Sequence, residues 1–134
     1  MIFRISECDY KIDREQLKKV AKAAFSVLGN KKGEIELNLV DQAEICRLNS
    51  VYRNIDEVTD VLSFTLEQEP LTGQIFICYT EAESRSRKHN AGLLDELSKL
   101  VIHGICHVYG LDHENVDEEA IMNEQEDKIR EKIK

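Results

Sequence analysis

No apolar run in this 134-residue sequence approaches the ~20 residues that a helix needs to cross a bilayer. The opening stretch, MIFRISECDY, lacks the apolar centre of a secretory signal. Both absences lead us to expect a soluble, cytoplasmic protein without a membrane partner. Paired cysteines are missing as well. Cys8, Cys46, Cys78 and Cys106 are dispersed, with no CxxC pair, which excludes a disulfide framework and fits reduced, mostly buried thiols. Nor is there a basic excess, and a net charge of −8 argues against a generic coat for nucleic acid. The acidity is uneven, however. Residues 112–134 hold nine Asp or Glu against four Lys or Arg, a net of −5, and the first 111 residues carry the other −3. Local basic features survive there, at Arg47 and Arg53 and again at Arg85, Arg87 and Lys88. Repeats, low-complexity tracts and linkers are also lacking. One domain over residues 1–134 is therefore expected, long enough to bury a core without staples.

Histidine is scarce, with four residues in the chain, yet three of them fall within eleven positions: His103, His107 and His113 in the run HGICHVYGLDH. On an α-helix, residues four apart differ by about 40° in azimuth and roughly 6 Å along the axis, so His103 and His107 can share a metal ion. His113 cannot join them on a continued helix, where it would point about 120° away from His107. Gly110 stands where the chain must break, because glycine takes φ > 0 at little cost and commonly follows a helix end. Three nitrogen ligands leave the fourth position on zinc open to water or substrate, the pattern of a catalytic site. Imidazoles also suit nickel, copper and iron. Cys106 sits about 100° round the helix from His107 and points away from this face. His89, beside Arg87 and Lys88, is expected at a solvated surface.

Hydrophobic periodicity orders the chain as β-α-β-α-β-β-α-α-α, an α+β domain with helices packed on a small mixed sheet. Strands are predicted over residues 2–6, 35–39, 61–66 and 74–79. The last of these is apolar on both faces and hence central. Asp13 with Gln16, and Asp41 with Glu44, form capping boxes that open two helices. A third helix is predicted over 81–89 and the histidine helix over 93–109. The last helix starts at Asp117, with acidic residues in its first turn, basic residues at its end, and an apolar stripe of Met122, Ile129 and Ile133.

The spacing HxxxHxxGxxH is that of metzincin-type zinc peptidases. Such peptidases carry glutamate after the first histidine, as the base that activates metal-bound water. Gly104 stands there and cannot take a proton. Three neutral imidazoles also leave a zinc ion its full +2 charge, which suits an anionic phosphodiester better than a peptide. Cleaving a phosphodiester requires a further cation for the charge that develops on phosphorus.

Three segments, LNSVYRNIDEVTDVLSF (residues 48–64), GQIFIC (73–78) and HGICHVYGLDHEN (103–115), resemble the YbeY family of bacterial endoribonucleases. That family's pattern is LNxxYRxxDxxTDVLSF, a GDI-type strand, then HGxLHLxGYDH, and the similarity extends through Met122 and Glu126. The resemblance implies one zinc ion held by His103, His107 and His113, with Arg53 and His103 as catalytic residues. It implies a metalloproteinase-like core and zinc-dependent cleavage of single-stranded RNA. It further implies roles in ribosomal RNA maturation, notably at the small-subunit 3′ end, and in ribosome quality control. The implied partners are single-stranded or ribosomal RNA, with the small ribosomal subunit or assembly proteins. Thr65, Gln74 and Leu111 depart from the family's usual proline, aspartate and tyrosine, which bears on the local loop shape and the substrate groove.

The residues taken alone leave alternatives open. Arg53 fits an ordinary exposed arginine near a helix C-terminus. Asp60 and Ser63 brace a turn or orient a ligand histidine. Asp112 abuts His113, and Glu96 faces either the cleft or solvent. Tyr52 and Tyr109 stack on bases or pack locally. Two other functions remain: a metallohydrolase of another substrate, including a residual peptidase, and a non-catalytic ribosome-assembly factor whose metal organises the fold. The missing fourth protein ligand counts against the second.

Overall fold

Two aspartate side chains set where the first helices begin. The computed structural model describes residues 1–133. Asp13 accepts from the Gln16 amide at 3.1 Å, and Asp41 from the Glu44 amide at 2.8 Å, satisfying donors that a first helical turn leaves without partners. They open α1 (Arg14–Leu28) and α2 (Gln42–Arg53). The remaining elements are β1 (Ile2–Ile5), β2 (Gly33–Val40), β3 (Val61–Gln68), β4 (Leu71–Cys78), α3 (Tyr79–Lys88), α4 (Leu93–Val108) and α5 (Val116–Ile133). This is the predicted order, with the ends of elements displaced by a few residues. The β3–β4 hairpin is longer than its apolar pattern suggested, because its exposed end carries polar residues. Asn115 accepts from the Glu118 amide at 2.9 Å and starts α5 one residue before its acidic turn.

The four strands lie in the order β1-β2-β4-β3. The β1–β2 and β2–β4 pairs are parallel and β3–β4 is antiparallel. β4 is central, as its two apolar faces predict, and β3 forms an edge. Side chains alternate across a strand. Ile35, Leu37, Ile75 and Ile77 therefore share one face, where they join Leu17 and Val20 of α1, Val101 and Ile105 of α4, and Met122 and Ile129 of α5 in the main core. Each such fully buried aliphatic side chain contributes roughly 1.5–3 kcal/mol relative to exposure. α2 covers the other face at one end, where Ile45 and Leu48 meet Leu62 and Cys78.

Two glycines bring α4 close against β4. A Cβ at Gly104 would stand 2.8 Å from Ile75 Cγ2, and one at Gly73 would stand 2.6 Å from Val108 Cγ1. Each element thus receives a side chain of the other where it has none of its own. The Thr65 hydroxyl on β3 donates to the Val108 carbonyl at 3.1 Å, tying the edge strand to the end of α4. Gln74 donates to Glu36 Oε1 at 3.3 Å across the β2–β4 pair, on the sheet face away from α4. These two departures from the family pattern are accommodated within the sheet.

The Gly104–Ile75 contact generates a stability prediction. In Gly104→Ala a gain in helix propensity of about 1 kcal/mol is set against overpacking of about 1–3 kcal/mol, for a net loss of up to about 2 kcal/mol. Urea unfolding should show a lower midpoint. An unchanged or higher midpoint would mean that β4 yields to the added methyl.

Candidate metal centre

His103 and His107 project from one face of α4, with their Nε2 atoms 3.2 Å apart. The helix then ends in a Schellman motif. The Gly110 amide donates to the His107 carbonyl at 2.9 Å and the Leu111 amide to the Cys106 carbonyl at 3.0 Å, with Gly110 at φ 95°. This reversal turns the chain back, and Asp112 Oδ1 accepts from the His113 amide at 2.7 Å. The His113 ring accordingly lies 5.5 Å from the His103 ring and 5.1 Å from that of His107, centroid to centroid. One ring nitrogen from each histidine falls within 4.8 Å of the others.

The donor set fits a metal ion. Two nitrogens bound at about 2.0–2.1 Å to a tetrahedral zinc are separated by about 3.3 Å, close to the spacing observed here. His107 is held below its ordinary value, first by burial and then by His103 and His113, with Asp112 and Glu126 pulling the other way. It is therefore neutral near pH 7, the state in which imidazole ligates. Glu126 Oε2 lies 3.0 Å from His103 Nδ1. With Nδ1–H donating to that carboxylate, the lone pair of His103 resides on Nε2, facing His107. Sequence reasoning assigned Glu126 no role. Its signal was positional: it interrupts the apolar stripe between Met122 and Ile129, and these three are the buried residues of α5.

The three histidines line a cleft of about 480 Å³ together with Arg53, Asp60, Asp112, Glu114 and residues 61–64 of the edge strand β3. Arg53 reaches it from the end of α2, which stops at Asn54 in the left-handed region at φ 58°. Among the described residues no carboxylate pairs with Arg53, whereas Glu44 holds Arg47 and Asp60 holds Arg85 at 2.9 Å. Asp60 also accepts from the Val61 amide at 2.8 Å, so it braces the entry to β3. Asp112, Glu114 and Glu118 form a second group of neighbouring carboxylates beside the histidines.

Other candidates lie elsewhere. Glu96 is buried and turned towards His89, 3.7 Å away, not towards the cleft. The Tyr109 hydroxyl donates to the Gly29 carbonyl at 2.8 Å and its ring packs on Phe25, which makes it a packing residue against α1. Tyr52 stays exposed, its ring 5.2 Å from that of Phe64. Cys106 is buried in the core and its thiol is pushed up to about 12, chiefly by burial, so it is no thiolate ligand. Among the described residues no helix is long and apolar enough to cross a membrane.

The family model of endoribonuclease YbeY matches residues 3–134. Among curated relatives, endoribonuclease YbeY of Finegoldia magna is 36% identical, with 94% of this chain and 90% of that protein covered. The protein of the same name from Aquifex aeolicus is 36% identical over 81% of this chain and 75% of its own length. That of Sulfurimonas denitrificans is 45% identical over 78% and 73%. The solution structure of a Thermotoga maritima protein is also similar, with a TM-score of 0.68, 30% identity, and coverage of 98% of this chain and 89% of that one.

The lowered value of His107 predicts an acid-sensitive fold. Its folded value lies below the unfolded one of about 6.5, so its contribution is complete above that pH and is lost as pH falls through the folded value. Urea unfolding of metal-free protein between about pH 7.5 and 5 should show a steeper loss for wild type than for His107→Asn. Parallel losses would assign the acid sensitivity to other groups.

Proposed function

The chain belongs to the endoribonuclease YbeY family, and from that membership we propose that it is a zinc-dependent endoribonuclease of single-stranded RNA. In this reading it is one domain over residues 1–134 that acts in the cytoplasm on ribosomal RNA, at the small-subunit 3′ end and in ribosome quality control. The small subunit or its assembly proteins are its partners. The observation that carries the reading is one cleft lined by three imidazoles and a guanidinium that has no carboxylate partner among the described residues.

The ligands are His103, His107 and His113 around a metalloproteinase-like core, and a zinc ion held by them would supply a +2 charge and Lewis acidity. Arg53 binds non-bridging phosphate oxygens and stabilises the charge that develops on phosphorus. That role is needed because the other charged side chains lining the cleft, Asp60, Asp112 and Glu114, are carboxylates that repel a phosphodiester. His103 belongs to the catalytic group through its position between Glu126 and the cleft.

The packing at Gly104 weighs against a peptidase. A side chain there would be directed into the Ile75 side chain of the sheet, so a glutamate at this position would have to displace Ile75. A purely structural ion ordinarily has its fourth position filled by the protein, whereas the histidine cluster supplies three ligands.

Arg53→Ala tests the reading. With zinc content and melting temperature equal to wild type, its kcat/KM on a single-stranded RNA should fall about 10²-fold or more, the usual cost of one lost transition-state donor. Duplex RNA of the same sequence should be spared by both proteins. Equal cleavage by mutant and wild type would remove Arg53 from the mechanism.

A further inference from the structure

Glu126 has a task that neither its burial nor its helix accounts for. α5 buries Met122, Glu126 and Ile129, spaced as one helical stripe. A carboxylate in the middle of such a stripe gives up solvation that methionine or isoleucine would not. It leaves the stripe's apolar role where Oε2 meets His103 Nδ1 at 3.0 Å. The side chain of Glu126 is 9% exposed and that of His103 28%. The contact therefore lies on the protein side of the imidazole, while the far edge of the ring faces the cleft.

We infer that Glu126 is a positioning residue that fixes His103 as the Nδ1–H tautomer and aims its Nε2 lone pair at the metal position, so that α5 and metal binding support each other. The inference rests on the metal-site reading given above. An imidazole has two tautomers, and the one present is set by the hydrogen bond made by the other nitrogen. A carboxylate is an acceptor only, so its partner nitrogen must carry the proton. Nε2 is then left as acceptor, 3.2 Å from His107 Nε2. His107 and His113 have no such carboxylate on their rings among the described residues: Asp112 accepts from the backbone amide of His113. His103 is thus the ligand whose orientation is set in advance, by a residue nineteen positions further along the chain than His107, α4's last ligand. The same contact makes metal affinity depend on the docking of α5, and outer partners of this kind are worth roughly 10–100-fold in affinity.

Glu126→Gln tests this with little change of volume. Its amide can present either an acceptor or a donor to Nδ1, so it loosens the choice of tautomer while keeping a hydrogen bond. Long-range ¹H–¹⁵N spectra of the histidine side chains in metal-free protein should show the Nδ1–H form for His103 in wild type and a mixture in the variant. Zinc titration should show one equivalent bound by wild type and about 10-fold or more weaker binding by Glu126→Gln. Glu126→Asp, which restores an acceptor-only group, should return the tautomer to Nδ1–H even where its shorter reach leaves affinity reduced. Wild-type tautomer and wild-type affinity in Glu126→Gln would overturn the inference. Failure of the wild type to bind one equivalent, with the Nδ1–H form present as expected, would instead overturn the metal-site reading and leave the tautomer assignment standing.

Discussion

The close approach of α4 to β4 is the constraint on which the site depends. Gly104 accepts the side chain of Ile75, and Gly73 accepts that of Val108, so the helix bearing two histidines is seated on the central strand with little room to slide. The edge strand is fixed to the same helix by the bond from Thr65 to the Val108 carbonyl. A cleft between α4 and β3 follows from these contacts, because β3 is paired on one side only. The Schellman turn then delivers His113 into that cleft from the loop. Interiors are close-packed, and a shift of either layer would be felt at the histidines.

The charge distribution of the molecule suits a focused site better than a broad surface. An overall charge of −8 repels polyanions, and three carboxylates line the cleft itself. In the proposed reading, affinity for a phosphodiester comes from two local sources, the charge of a metal held by the histidines and Arg53. That reading fits the absence, among the described residues, of a carboxylate on Arg53 when Arg47 and Arg85 each have one. It also fits His107 being held neutral by burial, since a charged imidazole could not ligate.

Much of this was legible in the sequence because its signals are local. Asp13 and Asp41 announce their helices by spacing, Gly110 announces the break after α4, and apolar residues on both faces of 74–79 announce a central strand. The histidine run specifies its own convergence because helix geometry and one glycine are enough to bring the rings together. Contacts made at long range were not legible. Glu126 is 23 residues from His103, and only its place in an apolar stripe hinted at burial with a partner. Glu96 had the right helical phase for the cleft but is drawn to His89 across the α3–α4 packing. Tyr109 adjoins the site in sequence yet serves α1, 80 residues from the carbonyl it bonds. Periodicity assigns a face to a residue; which neighbour waits there is decided by tertiary packing.

The central claim is that three imidazoles hold one metal ion in the cleft that also contains Arg53. Anomalous diffraction from crystals of the protein loaded with one equivalent of zinc tests it most directly. The account predicts a single peak bound by Nε2 of His103 and His107 and by a ring nitrogen of His113, with no sulfur ligand and a coordination position facing the cleft. A peak at the Asp112–Glu114–Glu118 carboxylates with none at the histidines would contradict it, as would a fourth ligand from the protein.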